Sequence, residues 1–197
     1  MNYFFRGLSF LIVAFSAPFY SIFLAPLSAA CGYGIFWATL EKVPFRKRFF
    51  LGAIWQFSIQ LVHLKWLATT TYNGSFMIAI YLIVSVILGA FFGILSMCIS
   101  SRLRGVYLLG FAGLGILLEY IRWLPLCGFS WNPAGLCLSA YSVSAQMAAI
   151  GGILFLSFWV YLTNAAFVRG CLSKERSLKA YRLWALLAIA PYVFGIL

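Results

Sequence analysis

From Gly7 to Leu40 the chain runs without a charged residue, interrupted only by Pro18 and Pro26. A hydrocarbon core about 30 Å thick takes roughly 20 apolar residues at about 1.5 Å rise each, so this run is too long for one crossing and just enough for two short ones. It predicts a helical hairpin that turns near Pro26. The rest of the chain repeats the theme: 64% of its residues are hydrophobic and 9% charged, where soluble domains carry roughly a quarter charged. Strands of about ten residues with alternating polarity, the mark of a membrane barrel, are absent, leaving a helical bundle as the expected class.

Further apolar segments follow at Phe49–Trp66, Phe76–Ile99, Val106–Leu124 and Val143–Val168, giving six expected spans within residues 1–182. The connections are the basic loop Glu41–Arg48, the polar loop Leu67–Ser75 with its Asn73-Gly74 turn, the basic loop Ser101–Gly105, the Gly- and Pro-bearing loop Pro125–Ser142, and the basic loop Arg169–Arg182. If the spans alternate, 12 of the 14 Lys and Arg residues fall on one side, leaving Lys65 and Arg122 on the other. Cytoplasmic loops carry such an excess, which predicts a cytoplasmic N-terminus. The apolar start is read as a retained membrane segment and not a cleaved signal, because uncharged sequence continues through Leu40. Residues 183–197 are short for a complete crossing and are expected to be an incomplete seventh span leading toward a further domain.

The net charge of +11 does not imply nucleic acid, because the basic residues lie between apolar spans and form no groove interleaved with aromatics. Three acidic residues in the whole chain supply no pair of carboxylates for acid/base chemistry. No Gly-x-Ser-x-Gly elbow or phosphate-binding loop is present. Five cysteines, Cys31, Cys98, Cys127, Cys137 and Cys171, show no metal-ligand spacing. Most read as buried thiols; Cys127 and Cys137 share one expected external loop, where an oxidising compartment would permit a disulfide. His63 has no second histidine or acid nearby to make a metal site, and no metal or cofactor is expected.

Glu119 is the one acidic residue within an apolar span, which makes it a functional candidate. Arg122 follows at i+3, so a local ion pair is one account of both. Contact with a lipid headgroup, which suits a guanidinium, is the other. Beyond them lies a loop with Gly128, Phe129 and Trp131, whose aromatics suit a membrane interface. Gln146 and Asn164 in the sixth span need hydrogen-bond partners, and Gly89 and Gly93, spaced G-x-x-x-G, suit close helix packing.

In sequence order, Glu119-x-x-Arg122-Trp123, Gly128-Phe129-Ser130-Trp131 with Gly135, Gln146, Ile150-Gly151-Gly152, Ser157-Phe158 and Asn164-Ala165 resemble the membrane half of bacterial apolipoprotein N-acyltransferases. Trp66-Leu67 with Asn73-Gly74 is a weaker match; the family usually has Pro where Ser130 and Ala149 stand. The resemblance implies a bacterial inner-membrane scaffold carrying a nitrilase-like catalytic domain outside the membrane. It implies transfer of an acyl chain from a phospholipid donor to the N-terminal diacylglyceryl-cysteine of a lipoprotein, through a cysteine thioester. No catalytic residue of that domain maps onto this chain, so the chain alone is expected to be inactive. Glu119, Arg122, Trp123, Gly128, Phe129, Trp131 and Gln146 are the candidates for lipid access or domain docking. A small polytopic protein that binds or moves a lipid without catalysis is the alternative, and an assembly subunit without substrate is a third reading.

Overall fold

The computed structural model describes residues 2–69, 74–100, 105–124, 128, 130–172 and 178–196. Among them all regular structure is helical, with no strand. The order is α1 (Asn2–Ala14), α2 (Ala25–Leu27), a π-helical turn (Ser28–Gly32), α3 (Tyr33–Ala38), α4 (Phe45–His63), α5 (Phe76–Met97), α6 (Val106–Ile121), α7 (Ser142–Ala145), α8 (Ala148–Leu172) and α9 (Leu178–Phe194), with 3-10 turns at Lys65–Ala68 and Ala134–Ala140. Two of these, α5 and α8, are long and apolar enough to cross a membrane; α1, α6 and the Tyr181–Phe194 part of α9 are apolar but shorter. Large apolar side chains such as Ile83, Val86, Leu117 and Ile189 point outward, a surface suited to lipid.

The initial hairpin forms, but its turn occupies residues 15–24, before Pro26. Pro26 instead stands in the first turn of α2, where a missing N–H leaves no helical bond unmade. The two limbs run antiparallel: Ser9 Oγ donates to Gly32 O at 2.6 Å, and Arg6 Nε to Thr39 Oγ1 at 3.0 Å. The sixth apolar segment is also less regular than its composition suggests. It begins with the short α7, breaks at Gln146–Met147 and kinks within α8, where Gly152 takes φ 65°, a conformation glycine adopts freely.

The core is unusually aromatic. Tyr33, Phe36 and Trp37 of α3 meet Trp55 of α4, Phe92 of α5, Phe111 of α6 and Tyr161 of α8. Phe36 stacks on Trp55 with centroids 4.4 Å apart, and Trp37 stacks on Phe92 at 5.4 Å while meeting the edge of Phe111 at 5.1 Å. Offset and edge arrangements of this kind add to the gain from burial. Trp37 Nε1 finds Ser96 Oγ at 3.1 Å, so the buried indole leaves no donor unmatched.

α4 and α5 pack against each other most extensively, and small residues set their distance. A Cβ on Gly89 would stand 2.7 Å from Ala53 O, and one on Gly93 2.8 Å from Phe49 O. At either position an added Cβ would press on the α4 backbone. At one end of the bundle Arg48 donates from its three guanidinium nitrogens to the carbonyls of Val43, Ile99 and Glu41, tying the loop before α4 to the end of α5. At the opposite end Tyr20 and Tyr81 hydroxyls donate to Val62 O and Leu61 O, and His63 Nε2 lies 2.8 Å from Ala14 O. Since α6 residue Gly110 has open space where a Cβ would go, it provides a control for the packed glycines. Gly93→Val should lower unfolding stability in detergent by about 1–3 kcal/mol through overpacking, whereas Gly110→Ala should leave it unchanged or slightly higher; equal melting of both variants would contradict the packing role.

Candidate functional site

Polar side chains in an apolar bundle are arranged here by helical period. On α4, Gln56, Gln60 and His63 follow i, i+4, i+7 and form one buried stripe; on α8, Ser157, Tyr161 and Asn164 do the same. Each residue of the α8 stripe reaches a different neighbour. Ser157 Oγ accepts from Gly135 N–H at 2.9 Å, Tyr161 donates to Glu119 Oε1 at 2.8 Å, and Asn164 Oδ1 accepts from Gly34 N–H at 2.8 Å. Asn164 Nδ2 also donates to Ala29 O at 2.8 Å within the π turn, one of the helix irregularities that need an outside partner for their carbonyls.

Glu119 lies near the end of α6, and Oε1 accepts a second hydrogen bond, from Ala134 N–H at 2.8 Å. Arg122, one turn on, donates from Nη2 to Trp131 O at 2.9 Å. The hydrogen bonds of this pair thus run to the loop and to α8, in place of the local ion pair that their i+3 spacing suggested. The cause is the loop itself: its backbone passes through buried surroundings, where an unmatched N–H or C=O costs about 1–3 kcal/mol. Two glycines make the arrangement possible. A Cβ on Gly115 would stand 2.4 Å from the Tyr161 ring, so its absence lets the phenol cross α6 to Glu119; a Cβ on Gly135 would stand 2.5 Å from Ser157 N.

Residues 130–133 lead into these anchors. Asn132 adopts φ 52°, a left-handed conformation that Asn tolerates, and Nδ2 donates to Gln60 Oε1 at 3.3 Å. Trp131 is 55% exposed and its ring sits 4.7 Å from that of Trp66, also exposed, in the 3-10 turn that follows α4. Gly128 has φ 82° and donates its N–H to Trp123 O at 2.7 Å, closing the turn after α6. Trp123 is partly buried with its ring 5.5 Å from Tyr120. Arg122 is therefore joined to Trp131 by a direct hydrogen bond, and Glu119 to Ala134 by another, while Gly128 bonds back to Trp123. Gln146 is exposed at the break between α7 and α8, and no hydrogen bond among the described residues ties its side chain to Glu119. Phe129, Cys127 and Asn73 lie outside the described residues.

Cys137 is a free thiol, fully enclosed in the 3-10 turn, with Sγ donating to Ala134 O at 3.2 Å. Burial pushes its pKa up to about 12. The thiolate, the nucleophilic form, is therefore scarce at neutral pH, and Cys137 is unsuited to covalent catalysis. Gln56, Gln60, Asn132 and Tyr161 were not singled out from sequence. The stripes on α4 and α8 were readable from their spacing, whereas the contact between Tyr161 and Glu119 depends on how α6 and α8 pack.

A family model for the apolipoprotein N-acyltransferase N-terminal domain matches residues 7–166. Among curated proteins, the chain is similar to apolipoprotein N-acyltransferases of Chlamydia pneumoniae, at 30% identity over 95% of this chain and 36% of that protein, and Chlamydia trachomatis serovar D, at 27% over 95% and 36%. The Chlamydia caviae enzyme of the same name is 28% identical over 97% of this chain and 37% of its own length. The chain thus spans a little over a third of the length of these relatives.

The raised Cys137 pKa has a kinetic signature. Since the thiolate stays scarce until pH approaches 12, native maleimide labelling at Cys137, read by peptide mass spectrometry, should stay slow throughout the range from pH 7 to 9, although its small thiolate fraction grows with pH. Unfolding in denaturant should release it to an ordinary thiol with pKa about 8.5, whose labelling at the same pH is faster by orders of magnitude; rapid labelling of the folded protein would contradict the buried site.

Proposed function

The chain belongs to the apolipoprotein N-acyltransferase family, and on that premise we propose that it is the membrane scaffold on which acyl transfer from phospholipid to lipoprotein takes place. Residues 1–182 form six spans in the bacterial inner membrane with a cytoplasmic N-terminus, and residues 183–197 belong to a seventh. The single observation that carries the role of the outer loop is the exposed Trp131, held on Trp66 while Arg122 and Glu119 fasten the backbone beneath it. An amphipathic indole on a fastened loop suits a place at the membrane interface, where lipid enters or a catalytic domain rests.

In this proposal the nucleophile and its base come from other parts of the enzyme, and the chain's own residues position. Glu119 and Arg122 fix the loop, Tyr161 and Ser157 hold it to α8, and Trp131 meets the lipid or the catalytic domain. Charge in the basic loops, with Arg6, Lys42, Arg46 and Lys47 at the end opposite Trp131, favours the cytoplasmic leaflet for that end. The α-amino group of a diacylglyceryl lipoprotein would be the acyl acceptor and a phospholipid the donor.

Joining residues 1–197 to the remaining part of the Chlamydia pneumoniae relative provides the test, with N-acylation of a diacylglyceryl peptide in membranes as readout. The joined protein should transfer acyl groups, and Trp131→Ala should lower the rate at least tenfold with insertion intact. A normal rate in Trp131→Ala would remove the loop's role, and a correctly inserted, folded and silent parent would remove the scaffold role. Orientation is checked separately: with other reactive cysteines replaced, Ser139→Cys should react with an impermeant thiol reagent from outside intact cells and Lys42→Cys should not, the reverse pattern defeating the topology.

A further inference from the structure

Between α5 and α6, which pack less closely than α4 and α5, lies a narrow groove open along one side. Leu88 and Phe91 of α5 and Leu118 of α6 give it apolar walls, while Gln56, Glu119 and Arg122 form its polar end. These three polar residues are 9%, 5% and 5% exposed, yet Gln56 Oε1, Glu119 Oε2 and Arg122 Nε have no hydrogen-bond partner among the described residues. Such atoms are costly to bury unmatched, and three of them line one opening.

Their chemistry specifies a complement. Arg122 Nε can only donate, while the two oxygens accept, so an occupant must offer an acceptor and at least one donor at its polar end and a hydrocarbon chain behind it. The ester-linked glycerol of a diacyl phospholipid offers acceptors alone. A single-chain lipid offers both: its ester carbonyl can accept from Arg122 Nε while its free glycerol hydroxyl donates to Glu119 or Gln56. We propose that this groove binds a lysolipid, a single-chain lipid with a free glycerol hydroxyl, in preference to a diacyl phospholipid.

The physiological source of such a lipid rests on the acyltransferase function proposed above. When an acyl group leaves a diacyl phospholipid, its ester C–O bond breaks, a bond to the acceptor nucleophile forms, and the nucleophile's proton ends on the glycerol oxygen. The remaining lipid has one chain and one new hydroxyl, the complement of the groove. The groove would then be a site where the spent donor rests before it returns to the bilayer.

Binding to the purified chain in detergent, followed by native mass spectrometry, tests the selectivity without requiring any acyl transfer. The probes are oleoyl-lysophosphatidylcholine, its glycerol O-methyl ether and dioleoyl phosphatidylcholine, whose shared headgroup carries no hydrogen-bond donor. The lysolipid should bind at least tenfold more tightly than either of the others. Gln56→Leu and Glu119→Gln should each reduce that preference to less than threefold, and Leu118→Trp, which narrows the groove, should weaken the lysolipid itself; helical content and melting identify any variant that fails to fold. Equal affinity for the lysolipid and its ether, or an unchanged preference in folded Gln56→Leu and Glu119→Gln, would overturn the assignment whatever the result for acyl transfer.

Discussion

The end of this bundle that carries residues 130–140 depends on one carboxyl oxygen. Glu119 Oε1 takes the Ala134 amide and the Tyr161 hydroxyl, both at 2.8 Å, and so joins α6, the following loop and α8 at a single buried point. A hydrogen bond is worth about 0.5–1.5 kcal/mol net in soluble proteins, and water is poorly placed to replace these two in an apolar interior. Arg122 adds the Trp131 carbonyl from the same helix face, and Gln60 adds Asn132 from α4. A stretch of irregular backbone thereby becomes a fixed platform, with Trp131 exposed upon it.

The same economy of polar groups recurs through the molecule. Gly34 and the π turn are held to α8 by Asn164, the end of α5 to the preceding loop by Arg48, and the two limbs of the hairpin by Ser9 and Arg6. Between these ties the packing is apolar, close along α4 and α5, where glycines let backbones meet, and looser between α5 and α6, where the groove lies.

Much of this was legible in the residues. Uncharged runs announced helices, and α5, uncharged throughout, follows its apolar run closely. Gly89 and Gly93 stand where an added Cβ would meet the α4 backbone. The first hairpin was readable but its turn was not, because Pro26 breaks a helix interior and yet suits a helix start, and composition cannot distinguish these uses. Likewise, the i+3 spacing of Glu119 and Arg122 placed both on one face, but their partners come from residues 131–134 and 161, whose approach depends on Gly115 and Gly135. The aromatic cluster around Trp37 joins five helices and has no local signature.

Hydrogen exchange at the Ala134 amide tests the central claim most directly, by comparing the parent protein with Glu119→Ala and Glu119→Gln in the same detergent. Anchoring by Oε1 predicts strong protection in the parent, a drop of at least a hundredfold in Glu119→Ala, and substantial protection in Glu119→Gln, whose amide oxygen can still accept. Protection that is weak in the parent, or that survives in folded Glu119→Ala, would show that the loop is held by something other than this carboxylate.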